Sequence, residues 1–173
     1  MARREGEEQG PGVDGFIQDV SRLAGAFPPT PWGARRFVLA MGERYAAIRL
    51  QDAWNPFRFL AQMAGKPPVH FGARGFRWTL ADDANPARHY TAFVFVGFWA
   101  PLWMALLVLW FWELAGFFRY RRRWSLADVR MGYVGIRHGQ LIRGYGHQIL
   151  PGLIAFALTE RGRWSRPPWR WEE

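Results

Sequence analysis

The side chains able to do chemistry are few and scattered. The histidines are His70, His89, His138 and His147. His138 and His147 are nine positions apart, which does not place them on one helical face. Hydrogen-bonded or exposed imidazoles are therefore the expectation. His89 stands just before a long apolar run, where an imidazole would be the one candidate axial ligand for a haem iron or a chlorin magnesium. Glu113 is the ionisable group inside the apolar stretch 91–118. A carboxylate there suggests proton relay, but its nearness to Arg119 favours pairing or reach to an interface. Asp82-Asp83 reads as part of a turn before a helix cap rather than as an acid/base pair.

No phosphate loop, dinucleotide fingerprint, HExxH, GxSxG or EF-hand pattern occurs. The absence of cysteine excludes disulfides, zinc-thiolate and Fe–S sites, c-type haem attachment and thiol catalysis. The residues thus indicate no catalytic site, no metal and no cofactor of the chain's own. The partners expected are other membrane subunits and anionic lipids, with peripheral contact to pigments, quinones or lipids.

Arginine and tryptophan dominate what remains. The 173 residues carry 23 Lys+Arg against 14 Asp+Glu, a formal charge of +9, and Lys66 is the single lysine. There are 11 Trp and 14 Phe, yet the mean hydropathy is only −0.19. That average excludes a polytopic transporter. The cluster Arg119, Arg121, Arg122, Arg123 and Trp124 reads as a membrane anchor on anionic lipid. The tail places Arg161, Arg163, Trp164, Arg166, Trp169, Arg170 and Trp171 without helical period. Those residue types suit anchoring on a partner protein. Stacking on nucleic acid is the alternative.

The elements that must position these groups are helical. Thr91–Trp112 is uncharged and roughly 33 Å long as a helix, against a bilayer core of about 30 Å. It predicts one transmembrane helix at about 87–118, with Tyr90, Trp110 and Trp112 as interfacial aromatics. Pro101 should kink it, and Gly97 and Ala100 share its face, offering close approach to another helix. Arg74, Arg77 and Arg88 precede the span, while Arg119, Arg121, Arg122, Arg123, Arg130 and Arg137 follow it. This asymmetry predicts a single-pass inner-membrane protein with a cytoplasmic C-terminal half.

Five regions follow. Residues 1–13 are a charged, Gly-rich tail, disordered by composition. Residues 14–85 form an N-terminal extramembrane helical region, with helices at Asp14–Phe27, Pro31 to about Ala53, and Pro56 to about Ala64. Thr30-Pro31, Asn55-Pro56 and Asn85-Pro86 each read as an N-cap followed by Pro at the first helical position. Residues 69–80, with Gly72 and Gly75, fit a small hairpin. Residues 86–118 are the span. Residues 119–160 are a basic extramembrane region, where Ser125 caps a helix bearing Gly132, Gly135 and Gly139, and Ile149–Leu158 is apolar but too short to span. Residues 161–173 are an extended Arg/Trp tail.

The expected fold is mainly α, with short amphipathic helices on both sides of one span. The expected function is a non-catalytic accessory or scaffolding subunit of a multi-subunit membrane complex, energy-transducing (photosynthetic or respiratory). The alternatives are a part of a bacterial secretion or DNA-transfer machine, or a membrane-tethered binder of nucleic acid or anionic lipid.

Overall fold

The computed structural model describes residues 10–49, 69–81, 84–119, 125–160 and 162, without the side chains of 117–119. The chain is mainly helical. In order come α1 (Gly12–Gly25), α2 (Pro31–Ala46), α3 (Pro86–Trp99), α4 (Leu102–Arg119), α5 (Leu126–Tyr145), a 3-10 turn (His147–Ile149) and α6 (Leu150–Leu158).

Local chemistry sets several boundaries. Thr30 is extended, and its Oγ1 accepts the Gly33 N–H at 3.1 Å, with Pro31 filling the first position of α2. Ser125 accepts the Asp128 N–H at 3.0 Å and starts α5. Asn85 precedes Pro86 but its side chain does not cap α3. The expected helix at 56–64 lies outside the described residues. The 69–80 segment is a series of turns rather than a hairpin. Gly72 and Gly75 take φ of 76° and 77°, and among the described residues the one strand-like pairing is an isolated antiparallel bridge between Phe76 and Thr159.

The long apolar run is not one helix. It breaks at Ala100-Pro101, where Ala100 takes φ −103° and ψ 151°. A residue before proline is pushed into the extended region because the proline ring crowds its helical conformer. The result is a helix of 14 residues and another of 18, and no described helix is long and apolar enough to cross a membrane. The single transmembrane helix at 87–118 is therefore corrected to the pair α3 and α4. The single-pass inner-membrane placement and its cytoplasmic C-terminal half, which depended on that helix, are withdrawn with it.

The first half of the run is apolar all round because protein surrounds it. Residues 90–98 of α3 are buried without interruption. α5 covers one side of α3 along most of its length, and α2 covers another. The contact with α5 is made by glycines. A Cβ on Gly135 would sit 2.8 Å from the Tyr90 carbonyl oxygen, and one on Gly139 would collide with the Val94 carbonyl. From the α3 side, a Cβ on Gly97 would collide with the Ile136 backbone. α1 and α6 pack on each other and close the far side with Phe16, Val20, Leu153 and Ile154. The apolar segment 149–158 is thus largely core, with Leu150, Leu153, Ile154 and Leu158 fully buried.

Candidate functional site

Two features stand out once the helices are placed: a set of polar side chains between α3, α4 and α5, and the outward face of α4.

The polar set begins at two consecutive residues of α3. His89 reaches α5, where its Nε2 donates to the Asp128 carbonyl oxygen at 2.9 Å. The same nitrogen lies 3.8 Å from Glu113 Oε1 on α4. Both side chains are nearly buried, at 12% and 8% exposure. The Phe93 ring, one turn along α3, lies 4.9 Å from the imidazole. Since a carbonyl only accepts, His89 Nε2 carries a hydrogen and in this arrangement does not offer a lone pair to a metal. Glu113 therefore meets a histidine within the helix packing.

Tyr90 points the other way. Its hydroxyl lies 2.7 Å from His138 Nδ1, and both residues are buried. Burial lowers the His138 pKa to about 4 and raises that of the Tyr90 phenol well above its usual value. At neutral pH the imidazole is uncharged, so the phenol donates and Nδ1 accepts. Sequence spacing does not reveal this pair. The nearest signal is the glycine stripe of α5, which draws that helix close to α3.

Asp19 of α1 is a hub that sequence reading passed over. Its carboxylate accepts from Arg22 at 3.0 Å, from Arg44 Nε at 2.9 Å and from the Tyr45 hydroxyl at 3.0 Å. It ties α1 to α2. His147 is fully buried, stacked on Phe37 at 4.9 Å, with Nε2 3.2 Å from the Ala24 carbonyl oxygen. Among the described residues no group of three or more His, Asp or Glu is placed to hold a metal ion.

α4 has two unlike faces. Ala105, Leu109 and Glu113, four residues apart, turn inward and are buried. Ala105 and Leu109 join Phe93, Val96 and Ile136 in a small core. Trp103, Leu107, Trp110 and Leu114 form the opposite stripe, with Met104 and Phe111 beside it, and all six are exposed. Trp103 is 63% exposed and Phe111 69%. The side of α4 next to α5 borders a groove of about 470 Å³, lined by Leu80, Leu106, Leu109, Trp110, Val129, Arg130, Tyr133 and Val134.

The remaining sequence-derived positions fall as follows. Trp112 is partly buried against the core, in contrast to exposed Trp110. Ala100 and Pro101 form the break, and the carbonyls of Phe98 and Ala100 accept from Arg143 at 3.4 and 3.5 Å. Arg119 ends α4. Arg121, Arg122, Arg123 and Trp124 lie outside the described residues, as do Arg161, Arg163, Trp164, Arg166, Trp169, Arg170 and Trp171. His70 is exposed at the start of the 69–81 segment.

No protein-family model, curated protein or solved structure matches this chain.

Proposed function

We propose that this chain is a non-catalytic accessory subunit of a multi-subunit membrane assembly, seated peripherally by the outer face of α4. One observation carries the reading: six large apolar side chains stand exposed together on a single helix whose inward positions Ala105, Leu109 and Glu113 are buried. Contiguous exposed apolar surface of this kind marks an interaction site. The polar set supports a structural role for the buried residues. His89, Glu113, Tyr90 and His138 bond or face one another inside the packing, and the adjoining groove is apolar. An energy-transducing assembly is the first candidate, because Trp and Phe pack well against flat quinone or pigment rings.

The test is purification in mild detergent, with partners identified by mass spectrometry. The double substitution Leu107→Glu and Phe111→Glu should remove a stoichiometric partner that survives Trp32→Glu, an equally exposed tryptophan on α2. Retention of that partner by the α4 variant would reject the reading.

A further inference from the structure

We infer that the surface formed by α4 and α5 lies flat on an anionic lipid bilayer, with the α4 stripe in the headgroup boundary and the α5 arginines on lipid phosphates. The inference rests on the docking role proposed for α4 and names what that helix docks on.

Charge supplies the argument. On α5, Leu126, Arg130, Tyr133 and Arg137 fall on one stripe by helical spacing. All four are exposed, and Arg130 and Tyr133 border the same groove as Trp110, so this stripe flanks the apolar face of α4. Among the described residues neither arginine has a carboxylate partner; Arg137 touches Gln140 at 3.3 Å. The carboxylates of the two helices are withdrawn from solvent: Glu113 is buried inward and Asp128 is half-buried in the first turn of α5. Exposed carboxylates stand on other elements, at Asp14 of α1, Glu43 of α2 and Glu160 after α6. Among the described residues, the surface of α4 and α5 therefore presents tryptophan, leucine and phenylalanine beside cations, with no exposed carboxylate on either helix.

That combination is the chemistry of an interfacial helix. Such helices sink their apolar face about 5–10 Å into the boundary and draw strength from anionic lipid. At 18 residues α4 is about 27 Å long, which gives a stripe rather than a point of contact. Tryptophan favours this depth because its ring is apolar while its N–H stays near polar headgroups.

Vesicle flotation of the full chain tests the inference, using phosphatidylcholine vesicles with and without phosphatidylglycerol. The chain should float with the anionic vesicles, and added salt should weaken binding. Arg130→Gln and Arg137→Gln should each reduce binding about fivefold, the equivalent of roughly 1 kcal/mol per arginine at an anionic surface. Trp103→Ser with Phe111→Ser should abolish it, with helical circular dichroism unchanged to show that the fold survives. Equal binding to neutral vesicles, or indifference to the arginine substitutions, would overturn the anionic assignment. No vesicle binding, together with a partner that Leu107→Glu and Phe111→Glu still release, would overturn the lipid inference and leave the docking role standing. Failure of both experiments would overturn both.

Discussion

His89 Nε2 lies 3.8 Å from Glu113 Oε1, on the side of α4 that faces the body of the protein. Glu113 shares its face with Leu109 and Ala105. Turning Glu113 inward turns Trp103, Leu107 and Trp110 outward.

Glu113→Ala should therefore loosen α4 more than the rest of the fold. The expected cost is about 1–3 kcal/mol, the usual penalty for disturbing a buried polar partner. Hydrogen exchange should speed up in α4 while α3, buried from Tyr90 to Phe98, stays protected. Uniform loss of protection would show that the pair supports the whole fold rather than the seating of one helix.

The glycines of α5 divide into two kinds. Gly139→Ala would drive a methyl group into the α3 backbone, and strain of this kind costs about 1–3 kcal/mol. Gly144→Ala meets nothing within 4 Å and should stabilise by roughly 0.5–1 kcal/mol, as alanine does in a helix. Opposite shifts of the urea midpoint are expected, and equal shifts would contradict the α3–α5 contact.

His138 should make stability pH-dependent in a defined window. Its pKa is about 4 when folded, against an unfolded value near 6.5. Between those values the unfolded chain binds more protons, so stability rises with pH. The contribution is complete above about 6.5 and is lost as pH falls toward 4, by up to about 3 kcal/mol. Denaturant titration over that range should show the slope, and His138→Gln should flatten it. A variant with an unchanged slope would place its origin elsewhere.

Asp19 should control the ionisation of Tyr45. Burial is the larger cause of that phenol's raised pKa, and the bond to Asp19 adds to it. Asp19→Asn should lower the pKa while leaving it above the ordinary tyrosine value, as followed by ultraviolet titration against Tyr45→Phe. An unmoved titration would mean that burial alone sets it.

Much of the helical framework was legible in residue order. Thr30-Pro31 and Ser125–Asp128 are caps whose chemistry is local, so they read directly. Gly132, Gly135 and Gly139 weaken an isolated helix, so in residue order they fit either a close neighbour or a broken helix, and the packing against α3 decides for the neighbour. The apolar run misled because its length fits a bilayer as well as it fits a buried helix followed by an exposed one. The deciding fact is tertiary: α5 and α2 cover α3. The local clue was Pro101, whose effect on Ala100 is a break rather than a kink. His89 and Glu113 each drew notice singly. Their meeting, like that of Tyr90 with His138, depends on how α4 and α5 fold back on α3, which no spacing along the chain encodes.

The arrangement of α4 against α5 underlies both the exposed stripe and its proposed role. Because the chain has no cysteine of its own, a pair introduced as Trp110→Cys and Val129→Cys would be its only thiols. Both positions border one groove. A short bis-maleimide should join them within a single chain in high yield. Single labelling without that intramolecular link, or links formed only between chains, would show that α4 does not fold back on α5, and would contradict the account.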